Sequence, residues 1–327
     1  MVAIASVATI LICLYFQFDN ADVDPAAIVS SLSQSVGETQ AADAASFSIA
    51  PIDPAKLQSP ENGAKQAVGP LTIATWNINY ANRNPGEVSQ MLRSSNADVI
   101  CLQETTEDSE NYLKREIGDL FPFHFTAGHT GNFFAEGFMV LSRTPIVEPR
   151  FTPPARTFFG HVVFQLDYGP RQITVISVHM TPFTSRDSRT IPQLISAVSQ
   201  TEVDHEYEVR AVLKDIPDNQ PVVVVGDFNS PSHGVAPTTL AQSGLTDLFG
   251  YLYPDPDQTH KSWDFRFGNG LRATWRIDYL FYSRHFSARS AVLTECQSSD
   301  HHLLIGRMDC ETTAGPLPFD VSPDGQN

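Results

Sequence analysis

Six short segments of the chain share one design, in which a run of apolar, β-favouring residues ends in a few polar residues. If these runs are strands of one domain, the polar residues at their ends can converge on a single cleft. That cleft would collect asparagine, carboxylate and imidazole groups, which bind hard metal ions and transfer protons. The six segments are residues 71–79, 98–104, 173–179, 222–229, 276–280 and 298–302.

The two ends of the 327-residue chain differ in composition from its centre. Residues 1–18 contain an uncharged apolar stretch, which favours a signal peptide or membrane anchor over a buried apolar tail. Residues 19–69 have the composition of a flexible linker, and residues 311–327 that of a disordered tail. We therefore expect one folded domain over residues 70–310, in a protein that is exported to the periplasm or the cell exterior, or anchored in a membrane.

The central region predicts alternating strands and helices. Val88, Met91 and Leu92 recur at helical spacing between two predicted strands, and residues 192–216 are mostly helical. Several β-like runs lie between residues 121 and 167, separated by glycine and proline. Such a mixture favours an α/β fold in which two packed mixed β-sheets are flanked by helices, a four-layer α/β sandwich.

The net charge of −16 restricts the partners of the chain. It argues against a basic nucleic-acid groove and against tight non-specific binding of DNA. It does not exclude a nucleic-acid substrate, because a bound divalent cation and a few local arginine or lysine side chains can contact phosphate.

The polar residues at the strand ends each have a structural and a chemical interpretation. Asp227 and Asn229 follow four valines and a glycine, where turn formation alone would explain both residue types. Glu104 is a candidate ligand for Mg²⁺ or Mn²⁺, or else a neighbour of a helix N-cap. Asn77 on its own does not distinguish between these interpretations.

Two histidines are candidates for proton transfer. Asp300-His301 is the proposed acid–base unit, because a histidine with a pKa near neutrality can accept a proton from water. A carboxylate must hold the ring in one tautomer, and Asp278 is the candidate. His179 could bind phosphate or protonate a leaving group, although a lone histidine is more often structural.

Several aromatic residues could line the mouth of the cleft or pack in the core. They are Phe133-Phe134, Phe158-Phe159 and residues 251–253. Core packing is the prediction for all of them.

The ordered set of motifs resembles the endonuclease/exonuclease/phosphatase family. This family includes pancreatic-type deoxyribonuclease, AP endonucleases, bacterial sphingomyelinases and inositol polyphosphate 5-phosphatases. The resemblance spans about residues 70–309 and rests on the order and separation of the motifs. The motifs are Trp76-Asn77, Leu102-Gln103-Glu104, Val178-His179, Gly226-Asp227-Phe228-Asn229, Arg276-Ile277-Asp278-Tyr279 and Ser299-Asp300-His301.

The resemblance implies a four-layer α/β sandwich that cleaves a phosphate ester with Mg²⁺ or Mn²⁺. On the metal side, Glu104 would bind the ion, with Asn77 close by and Asp300 as a further carboxylate. The implied catalytic set comprises a general base, its orienting carboxylate, two residues that position water or phosphate, and one that assists the leaving group. These are His301, Asp278, Asp227 with Asn229, and His179.

Two positions depart from the pattern of AP endonucleases. Asn79 stands where those enzymes usually have an acidic residue, and His179 stands where they have tyrosine. Both favour the deoxyribonuclease and sphingomyelinase branch, and the apolar start resembles exported or membrane-anchored bacterial members.

We therefore expect a monomeric, divalent-metal-dependent phosphodiester hydrolase of the nuclease type, with possible membrane attachment through residues 2–18. The alternative enzyme is a phospholipid or sphingomyelin phosphodiesterase, or a phosphomonoesterase. The alternative of another class is a catalytically inactive binding module.

Overall fold

The computed structural model describes the central part of the chain. The predicted apolar segment at residues 1–18, the linker up to residue 68 and the tail at residues 311–327 lie outside the described residues. Within the described part, no helix is long and apolar enough to cross a membrane. The described residues are 69–155, 157–168, 171–182, 191–266 and 272–310.

One six-stranded mixed sheet carries the first two motifs. Its order is β13-β14-β1-β2-β4-β3, and β1 and β2 are parallel neighbours. Because parallel strands end at the same edge of a sheet, Asn77 and Glu104 lie side by side. The strands are β1 (Leu71–Asn77), β2 (Val99–Thr105), β3 (Phe123–Ala127), β4 (Gly137–Ser142), β13 (Phe286–Thr294) and β14 (Leu303–Cys310).

A second six-stranded sheet packs against the first and has the order β5-β6-β7-β8-β12-β9. Here β7 and β8 are parallel, and β12 runs antiparallel to β8. The strands are β5 (Ile146–Thr152), β6 (Gly160–Tyr168), β7 (Arg171–His179), β8 (Val222–Asp227), β9 (Thr246–Asp247) and β12 (Asp278–Tyr282). A separate hairpin is formed by β10 (Trp263–Arg266) and β11 (Arg272–Trp275).

Helices cover the outer face of each sheet. The first two helices of the described chain pack on the β1–β2 side. The long helix Ile191–Lys214 and the short helix Val235–Gln242 pack on the β7–β8 side. The layers therefore run helix, sheet, sheet, helix, which confirms the predicted four-layer sandwich. The helices are α1 (Pro85–Ser94), α2 (Glu107–Ile117), α3 (Ile191–Lys214), α4 (Val235–Gln242), α5 (Leu248–Leu252) and α6 (Pro256–Thr259).

The four consecutive valines of β8 show why this strand has no polar alternation. Val223 and Val225 face the core between the two sheets, whereas Val222 and Val224 face α3 and α4. Since successive side chains point to opposite faces, a strand that is covered on both faces must be apolar throughout. The last residue of β8, Asp227, is consequently carried into a fully buried position.

The prediction of core packing was wrong for several aromatic residues. Phe134 is 86% exposed, and Phe133 and Phe158 are each 43% exposed, whereas Phe159 is buried. The exposed phenylalanines precede β4 and β6, which begin only at glycines 137 and 160. An apolar pattern cannot distinguish a strand from a loop that presents aromatic rings to solvent. Tyr251 is also exposed, at 62%.

Candidate active site

Asn77 and Glu104 link the ends of the two parallel strands of the first sheet to the second sheet. The side-chain amide of Asn77 donates to Glu104 Oε1 (2.9 Å) and to Asp227 Oδ2 (3.0 Å). Glu104 adopts a positive φ of 56° where the β2–β4 pairing is irregular. The backbone N–H of Tyr80 donates to Glu104 Oε2 (3.1 Å). These contacts fix the Glu104 carboxylate on the cleft side of the strand.

A sharp bend at the end of β8 places Asp227 and Asn229. Gly226 has φ of 144°, and a Cβ there would lie 2.1 Å from the Val178 carbonyl oxygen, so only glycine fits. Asn229 donates its backbone N–H to Asp227 Oδ1 (2.8 Å) and its amide to the Met180 carbonyl (2.9 Å). Asp227 and Asn229 therefore make the local side-chain-to-backbone hydrogen bond typical of a turn, and they also lie in the cleft.

His301 and Asp278 form a buried pair. Asp278 begins β12 directly opposite Asp227 of β8. Its Oδ2 lies 3.0 Å from His301 Nδ1, and His301 Nε2 lies 3.6 Å from Asp227 Oδ2. The arrangement is that of Nδ1–H donating to Asp278, which leaves Nε2 facing the cleft. The structure thus brings together the predicted base and its predicted orienting carboxylate.

The loop that carries His301 is held by residues to which the sequence assigned no role. The indole N–H of Trp76 donates to the His301 carbonyl (2.9 Å). The Ser299 hydroxyl donates to the Asn77 carbonyl (2.8 Å) and accepts the His301 backbone N–H (3.0 Å). The position of the imidazole is therefore set from the first sheet.

Asp300 is anchored by both of its carboxylate oxygens. Trp263 Nε1 donates to Oδ2 (2.9 Å) and Asn79 Nδ2 donates to Oδ1 (3.1 Å). Next to Trp263, the Ser262 hydroxyl accepts the Asp278 backbone N–H (3.0 Å). Each carboxylate oxygen has a second lone pair, so the predicted metal-side role of Asp300 stays a prediction.

His179 completes the cleft. Its Nε2 lies 3.8 Å from Glu104 Oε1 and 3.7 Å from Asp227 Oδ2. The ring stacks on Phe159, with centroids 3.9 Å apart and planes 4° from parallel. Burial and, to a smaller extent, a charge on His301 together lower the pKa of His179 to about 3, against a smaller opposing effect of the Ala135 backbone. The ring is therefore neutral at physiological pH.

The electrostatics of the cleft fit a bound cation. Burial raises the pKa of Glu104 and of Asp227, because both carboxylates are withdrawn from water. Burial alone would lower the pKa of His301, but Asp278 and Asp227 outweigh it and raise that pKa. Ligand atoms of Asp227, Asp278 and His301 lie within 4.8 Å of one another, a spacing that a metal ion can bridge. The donors are mainly oxygens, as hard divalent ions require.

A buried hydrogen-bond network lies behind the cleft and joins the two sheets. Gln103 Nε2 donates to Thr75 Oγ1 (3.0 Å) on β1 and to Ser177 Oγ (3.3 Å) on β7. All three residues are buried. Their polar groups are satisfied across the sheet interface, which fixes the two sheets in one relative position.

Helix α3 contributes a buried histidine behind His179. His205 is fully buried, and its Nε2 lies 2.7 Å from the Thr181 carbonyl oxygen. Burial lowers the pKa of His205 to about 4, against smaller opposing effects of Thr181 and Asp204.

This histidine predicts a pH-dependent stability. Below about pH 6.5 the unfolded chain binds a proton at His205 that the folded protein does not bind until about pH 4, so acidification favours unfolding. Between about pH 7 and about pH 4.5 we expect this residue to reduce the free energy of unfolding by roughly 2–3 kcal/mol. Urea unfolding of His205→Gln should show a correspondingly smaller pH dependence than wild type. His124→Gln, at an exposed position, is the control, and parallel curves for wild type and His205→Gln would contradict the prediction.

Comparison with known proteins identifies similar sequences over most of the described region. The sequence model of the Endonuclease/Exonuclease/phosphatase family matches residues 74–301, which include every predicted site residue. The chain is 23% identical over 261 residues to an exodeoxyribonuclease of Bacillus subtilis, covering 71% of this chain and 96% of that protein. It is also 23% identical over 291 residues to the DNA repair nuclease APEX1 of Danio rerio, covering 80% and 85%.

Solved structures with the same fold include enzymes named for different substrates. TDP2 of Danio rerio, in complex with a single-strand DNA product, aligns with a TM-score of 0.57 and 18% identity, covering 73% of this chain and 99% of that chain. Sphingomyelinase C of Streptomyces griseocarneus aligns with a TM-score of 0.51 and 17% identity, with the same two coverages. At these identities the likeness shows the fold alone.

Proposed function

The chain belongs to the Endonuclease/Exonuclease/phosphatase family, and on that premise we propose that it is a divalent-metal-dependent phosphodiester hydrolase of the nuclease type. Membership confirms the predicted family and the predicted class of phosphoester hydrolase. The observation that carries the proposal is the hydrogen-bonded pair of His301 and Asp278. The Nε2 atom of His301 faces Asp227, which lies beside the contact between Asn77 and Glu104. A binding module has no need of this arrangement.

In the proposed reaction the chain supplies the base and orients the water. The raised pKa of His301 favours the imidazolium in the metal-free cleft, and a cation bound beside the cleft would oppose that rise. In the neutral ring, Nε2 accepts the proton of the attacking water, because Nδ1 is engaged by Asp278. Asp278 keeps the ring in that tautomer and stabilises the imidazolium that forms. Asp227, with its carboxylate held by Asn77 and Asn229, positions the water or the phosphate.

On the metal side, Glu104 would hold Mg²⁺ or Mn²⁺, with Asn77 fixing its carboxylate and Asp300 completing the acidic edge. The ion, when bound, would neutralise charge on the phosphate. His179 acts as a neutral hydrogen-bond donor to a phosphate oxygen. Its low pKa favours this role over protonation of the leaving group, which the sequence had also suggested.

Nucleic acid is the first candidate substrate, and two features support the deoxyribonuclease and sphingomyelinase branch. His179 replaces the tyrosine of AP endonucleases. Asn79 donates its amide to Asp300, where an acidic side chain would instead place a second carboxylate against it. The branch stays a proposal, since the similar proteins include DNA repair enzymes.

An exposed aromatic cluster favours a phospholipid phosphodiesterase as second candidate. Phe133 and Phe158 meet edge to face at 4.9 Å, and Tyr80 stacks on Phe134 at 6.2 Å. The cluster adjoins the cleft through Phe159, whose ring lies on His179. An apolar surface of this kind suits a substrate that is presented in a lipid layer.

Wild-type protein is expected to hydrolyse bis-p-nitrophenyl phosphate with Mg²⁺ or Mn²⁺ and to lose this activity in EDTA. Plasmid DNA, single-stranded oligonucleotide and sphingomyelin vesicles, assayed in parallel, separate the nuclease from the lipid phosphodiesterase. Restoring the metal after EDTA controls for damage by the chelator. Absence of turnover on every phosphoester, with metal bound, would reject the enzyme and support a binding module.

We also propose that the protein is exported or membrane-anchored through residues 2–18 and acts as a monomer. The apolar character of that segment and the polar linker after it support the first point. Fractionation of cells that express the chain with and without residues 2–18 tests the first point, and sedimentation of the purified protein tests the second.

A further inference from the structure

Helix α3 holds the backbone segment that follows His179. Glu202, His205 and Glu208 recur every three residues, which places them on one side of the helix. His205 Nε2 lies 2.7 Å from the Thr181 carbonyl oxygen. The Glu208 carboxylate accepts the Thr181 backbone N–H (3.1 Å) and the Thr181 hydroxyl (2.8 Å). Every hydrogen-bonding group of Thr181 is therefore bound by α3.

Glu208 also reaches the segment on the other side of the His179 ring. The side chain of Thr157 lies close enough to this carboxylate to lower its pKa. Thr157 lies two residues before Phe159, whose ring stacks on His179, and Thr181 lies two residues after His179. One carboxylate thus binds the segment that carries the imidazole and lies beside the segment that carries its stacking partner.

Met180, between His179 and Thr181, connects the segment held by α3 to the residues that carry Asp227 and Asn229. The backbone N–H of Met180 donates to the Asp227 carbonyl (2.9 Å), and the Met180 carbonyl accepts the Asn229 amide (2.9 Å). A shift of Thr181 would therefore displace the imidazole and the groups that face Asp227.

We propose that Glu208 is a positioning residue for His179, acting through Thr181. The inference rests on the proposed function, since His179 contributes to turnover only if phosphate binds beside it. Withdrawing a carboxylate from water costs free energy, and the two donors of Thr181 offset part of that cost. Burial raises the pKa of Glu208 to about 7, and Thr181 and Thr157 oppose the rise. Glu206, on the same helix, instead pairs with Arg210 at the surface.

Glu208→Gln is the direct test, measured on the full chain with bis-p-nitrophenyl phosphate and Mn²⁺. The amide removes the charge and turns an NH₂ group towards the donors, so the imidazole should lose its fixed position. We expect kcat to fall about 10–100-fold with a smaller change in KM, the scale of a misplacement near 1 Å. Glu206→Gln is the matched control and should retain wild-type kinetics. An unchanged kcat in Glu208→Gln would overturn the proposal.

A double-mutant cycle separates positioning from a general structural role. In a His179→Gln background, Glu208→Gln should cause almost no further loss, because the group that it positions is already absent. An equal loss in both backgrounds would show that Glu208 supports the fold at large and would overturn the proposal. Thr181→Val, which removes only the hydroxyl donor, should lower kcat in the same direction, and Thr181→Ser should restore it.

Hydrogen exchange gives a readout that does not require turnover. Peptides that contain residues 179–182 should exchange faster in Glu208→Gln than in wild type or Glu206→Gln, since the Thr181 N–H loses its bond to a charged carboxylate. If wild-type protein cleaves no phosphoester, the proposed function fails, and exchange alone decides whether Glu208 fixes this segment. Unchanged exchange at residues 179–182 would overturn the positioning role in either case.

Discussion

Replacing His301 with alanine is expected to lower kcat by at least about 100-fold, because general acid–base groups contribute about 10²–10⁴-fold. His301 Nε2 faces the cleft. Among the ion pairs of the described residues, the carboxylate oxygen nearest to this atom is Asp227 Oδ2 at 3.6 Å, and this separation leaves room for a water molecule to approach. KM should change little, since the ring acts on the attacking water and not on bound substrate. Steady-state kinetics with bis-p-nitrophenyl phosphate measure both constants.

Asp278→Asn extends this experiment to the pair. An asparagine oxygen can still accept Nδ1–H, but it lacks the charge that stabilises the imidazolium, so kcat should fall as well. The double variant should be no slower than His301→Ala, because the two residues act as one unit. His302→Gln, at the adjacent histidine, is the matched control. Near-wild-type turnover of His301→Ala would refute its role as base.

The strand ends could be predicted from the sequence because an apolar run and the polar residues that follow it are both local features. The valine run of β8 indicates burial on two faces, and the polar residues that follow must lie at the edge of the sheet. The order of the motifs then indicated one family and one fold. For these reasons the sequence predicts that Glu104, Asp227, Asp278 and His301 lie in one cleft.

The contacts that orient these residues could not be predicted, since they join distant parts of the chain. Ser299 binds the Asn77 carbonyl across 222 positions of sequence, and serine is common in loops. The contacts of α3 with Thr181 depend on how a helix sits on a sheet, which no local pattern specifies. The exposed phenylalanines are apolar like core residues, and only their position in the loops before β4 and β6 places them at the surface.

Glu104→Gln is expected to weaken Mn²⁺ binding by more than about 100-fold, because even loss of an outer partner of a ligand typically costs 10–100-fold in affinity. The Glu104 carboxylate is 17% exposed and is oriented by Asn77 and Tyr80, which places a negative charge at the accessible side of the cleft. Isothermal titration of the full chain with Mn²⁺ measures the affinity. Glu107→Gln, at an exposed position three residues away, is the control and should bind Mn²⁺ as wild type does.

The same titration decides between two places for the ion. Asp227, Asp278 and His301 also bring ligand atoms within 4.8 Å of one another. In that cluster, however, a metal at His301 Nδ1 would displace the bond to Asp278 (3.0 Å), and a metal at Nε2 would block the atom that acts as the base. An ion beside Glu104 leaves this bond intact. We therefore expect His301→Ala to retain Mn²⁺ affinity and Glu104→Gln to lose it. The opposite pattern would show that the ion binds on the Asp227 side, and His301 could then not be the base.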